Sequence, residues 1–153
     1  MLHTPPLNIG YCGPTAIAAI TGRTKKEIYQ AIHEARLDTC GEEAYQARKD
    51  GALRRMPVFG LSNDDLMLAM DILGWTLIAH APPPRGTTLD TFMEALGRMG
   101  TYIVNVTGHY IAVSQGEVCD TATRMPIPYA SWRNKRGGRH VKHWFNYGIQ
   151  NDQ

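Results

Sequence analysis

The stretch that most constrains the fold is residues 101–121, where three segments rich in Tyr, Ile, Val and Thr (101–107, 109–114 and 117–121) are separated only by Gly108 and by Gln115-Gly116. Segments this short and this close cannot cross over to pair in parallel, so the spacing predicts an antiparallel meander with tight hairpin turns. If Gln115-Gly116 is a two-residue turn, Ser114 faces Glu117, Ile111 faces Asp120 and His109 faces Ala122. Residues 109, 111, 113, 118 and 120 then share one face, on which His109 and Asp120 are diagonal neighbours about 7–8 Å apart at the backbone, within reach of an Asp-His hydrogen bond.

Upstream, the pattern is helical. Residues 12–21 carry the apolar run Ala16-Ile17-Ala18-Ala19-Ile20, with Pro14 in the first turn and Gly22 just past the end, which predicts a short buried helix. Thr24-Lys25-Lys26-Glu27 has capping-box spacing, and Ile28, Ala31, Ile32 and Ala35 follow at helical intervals. Residues 38–57 are polar and without firm period, apart from a turn of helix at 42–49. Ser62 to Asp65 offers caps and first-turn acids to a helix striped by Leu66, Met70 and Leu73 and closed by Gly74. Residues 75–81 read as a strand, Pro82-Pro83-Pro84 as a stiff corner, and 88–98 as a helix through Leu89, Phe92, Met93 and Leu96. A further strand is expected within 132–147. Helices first and strands later make an α+β domain, with the helices on one side of an antiparallel sheet. A chain of 153 residues with no internal repeat is expected to be one domain, 1–153.

A composition of 43% hydrophobic and 20% charged residues excludes wholesale disorder. No apolar run reaches the length of a membrane helix, and residues 1–7 lack the progression of a secretory signal, so no membrane association is expected. Three cysteines, Cys12, Cys40 and Cys119, widely spaced, suit neither a disulfide framework nor a paired zinc site, and a reducing cytoplasmic setting is expected.

A catalytic thiol must be held as thiolate, and a helix N-terminus is one device for that. Cys12 stands where the first helix begins, between Gly10 and Gly13, which let a substrate backbone approach. His109 is the candidate base and Asp120 the carboxylate that fixes its tautomer. Taken alone Cys12 would be read as a small buried hydrophobe, and the Asp-His pair as a structural one at a sheet edge. Cys40 and Cys119 lack a helix-start context, and Cys119 points away from the face of His109. Asn8, the nearby amide side chain, and the Cys12 N–H are the candidate oxyanion-hole donors.

Gly-Tyr-Cys-Gly-Pro-Thr-Ala at 10–16, with Gly-His-Tyr-Ile-Ala-Val at 108–113 and Val-Cys-Asp at 118–120, resembles the papain-like cysteine peptidases, nearest in style to the bacteriocin-processing peptidase domains. The resemblance spans about residues 8–22 and 101–121. It implies a papain-like fold whose central helix opens at the nucleophile, and a Cys-His-Asp triad of Cys12, His109 and Asp120 acting through a thioester on a protein or peptide, with no metal and no cofactor. Two positions depart from the pattern: no glutamine precedes Cys12, and Thr121 follows Asp120 where proline is common. The alternatives are an acyltransferase with the same triad, or an inactive papain-like module that binds protein or nucleic acid.

Any such binding points to Arg133, Lys135, Arg136, Arg139 and Lys142, a basic run without acids. Flanked by Trp132, Trp144 and Phe145, it could hold phosphates and stack bases, although a net charge of only +2 argues against general attraction to nucleic acid. An acidic partner protein is the preferred reading, beside the plainer one of a solvated loop. His140 and His143, at helical i, i+3 spacing but without further ligands close in sequence, read as basic surface rather than a metal site. His3, His33 and His80 read as surface or packing residues.

Overall fold

The computed structural model describes residues 1–41, 58, 60–132 and 138–149. The chain runs α1 (Cys12–Thr21), α2 (Lys25–Cys40), α3 (Asn63–Ile72), β1 (Trp75–Ala81), α4 (Leu89–Phe92) continued by a π-helical turn (Met93–Gly97), β2 (Thr101–Val106), β3 (His109–Ser114), β4 (Glu117–Cys119), β5 (Ile127–Pro128), α5 (Tyr129–Trp132) and β6 (Val141–Ile149). The expected turn of helix at 42–49 lies outside the described residues.

Local chemistry sets the helix ends. Thr24 and Glu27 form the reciprocal capping box at the start of α2, and the Ser62 side chain accepts from the Asp65 N–H at the start of α3. The β2–β3 turn, Thr107-Gly108, has positive φ at both residues (50° and 79°), as does Gln115-Gly116 (51° and 82°). That geometry matches the right-handed twist of the flanking strands, so both hairpins close with no slack.

The strands form one antiparallel sheet in the order β1-β6-β2-β3-β4-β5. Ser114 pairs with Glu117, Val113 with Val118 and Ala112 with Cys119, the register expected from the turn. The tail strand lies inside the sheet, between β1 and β2.

The mixed helix-and-sheet class is as expected; the placing of all helices on one side is not. Ile103, Ala112, Cys119, Phe145 and Tyr147 pack against α1, α2 and α3, while Val104, Val106, Ile111, Val113, Val118 and Val141 pack against Leu89, Phe92, Met93 and Trp132. β2 and β3 are buried at consecutive positions, not at alternate ones, and such strands need cover on both faces. The short α4 segment and α5 supply the second cover.

Candidate active site

Cys12 is the first residue of α1, and the residue before it is strained: Tyr11 has φ 68° and ψ 151°, a region that L side chains rarely occupy. The Tyr11 carbonyl turns onto the helix, accepting from the Thr15 N–H at 3.1 Å and the Thr15 hydroxyl at 2.6 Å. The half-buried Cys12 thiol sits at the mouth of α1, where the Gly13 N–H donates to it.

β3 brings the second group. His109 is its first residue, directly after the turn, and its ring interacts with the Cys12 side chain. Its Nε2 faces Asp120 Oδ2 at 3.4 Å, which leaves Nδ1 as the ring nitrogen for the sulfur. The backbone adds a further donor. With a two-residue turn at 107–108, the N–H groups of His109, Ile111 and Val113 point to β2, and those of Tyr110 and Ala112 point to the β4 side. β4 ends at Cys119, opposite Ala112, so no β4 residue takes up the Tyr110 N–H. It donates to the Cys12 sulfur instead.

Asp120, 2% exposed, is fully engaged. Oδ1 accepts from the backbone N–H groups of Ala122 (3.0 Å) and Thr123 (2.9 Å), and Oδ2 accepts from the Trp132 indole at 3.3 Å. The Asp120 N–H in turn donates to the Thr123 hydroxyl, closing a tight turn that fixes the carboxylate.

Three protonation states follow. Burial works to raise the Asp120 carboxyl, but His109, the Thr123 amide and the Trp132 indole outweigh it and hold the group down at about 2. Asp120 first and Cys12 second hold the His109 ring protonated, up to about 9, against the opposing effect of burial. Burial would raise the Cys12 thiol, yet His109 and the Tyr110 and Gly13 N–H groups bring it below its ordinary value. Burial pushes the Cys119 thiol up to about 11, and the nearby Asp120 charge adds to this, against a smaller lowering by the Thr123 hydroxyl. One thiol is thus lowered beside an imidazolium, and another is raised.

The structure brings Cys12, His109 and Asp120 together. It places Asn8 at the surface, in the turn closed by the Ile9 N–H to Pro6 carbonyl bond, with no side-chain hydrogen bond among the described residues. Of the donors proposed for the oxyanion, the Cys12 N–H stands at the helix mouth.

Trp132 was not legible as part of this site, since nothing in its spacing from Asp120 connects them. The Asp120-Thr121-Ala122-Thr123 turn carried a usable signal, an Asx residue with a hydroxyl three positions on. Tyr110 also contributes: its one hydroxyl proton is shared between Asn63 Oδ1 (2.7 Å) and the Leu61 carbonyl (3.2 Å), tying the start of α3 to the strand that carries His109.

Other expectations change. His140 and His143 are on extended chain, not a helix: His140 bridges to Thr88 and His143 is within β6. His80, read as unpartnered, meets His143 at 2.9 Å between ring nitrogens, because β1 and β6 are neighbours. Of the basic run, Arg139 and Lys142 are exposed, and Arg133, Lys135 and Arg136 lie outside the described residues. Of the aromatic residues expected to stack bases, Trp132 and Phe145 are buried, and the half-buried Trp144 makes a T-shaped contact with Tyr102. Among the described residues, no three His, Cys, Asp or Glu side chains come together in a way that could hold a metal, and no helix is long and apolar enough to cross a membrane. No family model, curated protein or solved structure matches the chain.

Proposed function

We propose that this protein is a papain-like cysteine hydrolase acting on a peptide, isopeptide or related amide through a Cys12-His109-Asp120 triad. The observation that carries this reading is the meeting of Cys12, first in α1, with His109, first in β3, whose Nε2 lies 3.4 Å from the buried Asp120 carboxylate. The placement of α1 against β3, with the histidine first in its strand and the carboxylate just past the next, supports it further.

The chemistry follows from the protonation states. The Cys12 thiolate attacks the carbonyl carbon, and the oxyanion is met by the Cys12 N–H. His109, already protonated, gives its Nδ1 proton to the departing amine as the C–N bond breaks, leaving a thioester and a neutral imidazole. The same nitrogen then takes a proton from water as its oxygen attacks the thioester. Thiolate leaves, the acid is released, and the ion pair is restored. Asp120 holds the ring through Nε2 and favours its charged form throughout.

Two reagents test this without knowledge of the natural substrate. p-Nitrophenyl acetate is expected to leave one acetyl group on Cys12, detected by mass spectrometry, and iodoacetamide at mildly acidic pH is expected to label Cys12 far faster than Cys40 or Cys119. Both reactions should be lost or greatly slowed in His109→Ala. Slow and equal labelling of all three cysteines would overturn the reading.

A further inference from the structure

The basic groove beside the β2–β3 turn has no part in the chemistry above. It occupies about 520 Å³ and is lined by Pro83, Pro84, Arg85, Gly86, His140, Val141 and Lys142. Arg85, Arg139 and Lys142 are exposed, and none of the three has an acidic partner among the described residues. The proline pair stiffens one wall and β6 the other, so the charges stand on a formed surface.

Its position gives the groove a use. Val141 pairs with Val106, and Val106 pairs with His109, so groove wall and candidate base lie in one row across the sheet. The Thr107 hydroxyl, in the turn just before His109, donates to the His140 carbonyl at 3.4 Å and ties the two regions together. Two inter-strand steps amount to about 10 Å, the length of about three residues of extended chain.

From this we infer that the groove binds a carboxylate-rich segment of the polypeptide substrate, about three residues or more from the bond at Cys12. This rests on the hydrolase reading for the word substrate; the groove's preference for carboxylates does not. Cations with no internal acid to satisfy them attract an anion most strongly where the walls restrict water. A polypeptide fits better than nucleic acid because, of the three aromatic residues beside the basic run, Trp132 and Phe145 are in the core and Trp144 is half-buried against Tyr102.

The test uses the full chain and two synthetic peptides. One carries four consecutive glutamates with an iodoacetyl group three to five residues away, prepared in both chain directions; the other has glutamines in place of glutamates. The glutamate peptide is expected to label Cys12 at least about tenfold faster than the glutamine peptide in 50 mM salt, with the advantage lost in 500 mM salt and in Arg85→Glu/Lys142→Glu. Thermal melting of that double variant confirms that it folds. Equal rates for the two peptides, or an undiminished advantage in the double variant, overturn the proposal.

Fluorescence anisotropy with non-reactive versions of the peptides on Cys12→Ala separates the two readings. If Cys12 is not selectively labelled by any reagent, the hydrolase reading fails, while salt-sensitive binding of the glutamate peptide through Arg85 and Lys142 still supports the groove. A matched oligothymidine that binds more tightly than the glutamate peptide counts against it.

Discussion

Replacing Asp120 by asparagine should lower the titration of His109, and the size of the change can be worked from the site. The ring moves from an ordinary 6.5 to about 9, with Asp120 the largest cause and Cys12 the second. That interval corresponds to about 3 kcal/mol in favour of the imidazolium. At pH 8 a ring titrating at about 9 is roughly 90% protonated, and one at 6.5 only about 3%. Asparagine keeps the shape and removes the charge, so Asp120→Asn should take back more of the interval than Cys12→Ala does. Long-range proton–nitrogen NMR of the imidazole across pH 5–10, on wild type and both variants, reads this directly. A midpoint within a few tenths of wild type in Asp120→Asn would refute the assignment of Asp120 as the group that keeps His109 charged. A larger fall in Cys12→Ala would invert the ranking.

The same carboxylate sets an acid limit. Its folded value of about 2 lies below the ordinary 3.8, so its contribution, about 2 kcal/mol, is complete above pH 4 and lost as pH falls towards 2. Urea unfolding should therefore show wild type and Asp120→Asn converging between pH 4 and pH 2. Trp132→Phe, which removes the indole donor at 3.3 Å, should cost about 1–3 kcal/mol at pH 7 and less at pH 2, where the acceptor has lost its charge. A pH-independent loss would make Trp132 a packing residue only. Tyr11→Gly should stabilise the fold by about 1 kcal/mol, since relief of backbone strain of about 1–3 kcal/mol exceeds the added chain entropy of about 0.5–1 kcal/mol. Thermal unfolding that shows a loss instead would mean that the Tyr11 side chain holds the loop by its contacts.

What the sequence made legible was local. Thr24 and Glu27 mark a helix start through bonds between neighbours, and Gln115-Gly116 sets the β3–β4 register through turn geometry, which placed His109 beside Asp120 before any coordinates. The packing of the tail aromatic residues was not legible. Trp144 and Phe145 flank a basic run in sequence, but their packing depends on which strands β6 joins, and β6 pairs with β1 some 70 residues away. The same non-local pairing hid the meeting of His80 with His143. The one-sided helix layer failed for another reason. It followed from element order, helices first and strands later, whereas Tyr102–Val104 and Tyr110–Val113 are buried on both faces and call for a second cover.

Strand parity puts His109 on the face of Ile111 and Val113, opposite the face that α1 covers, so a straight continuation of the sheet would keep imidazole and thiol apart. They meet because regular structure stops at this end on three sides at once. β2 and β3 turn back at Thr107-Gly108, β4 ends one residue short of Asp120, and α1 begins only after the strained Tyr11. Each termination leaves something unpaired. The strand leaves the Tyr110 N–H, the helix leaves its first N–H groups, and the turn after β4 swings a carboxylate inward. The Cys12 sulfur at the centre answers the first two, and the imidazolium answers the third. The lowering of the Cys12 thiol is thus a consequence of where the ladders end, and extending β4 by two paired residues should reduce it by giving the Tyr110 N–H another acceptor.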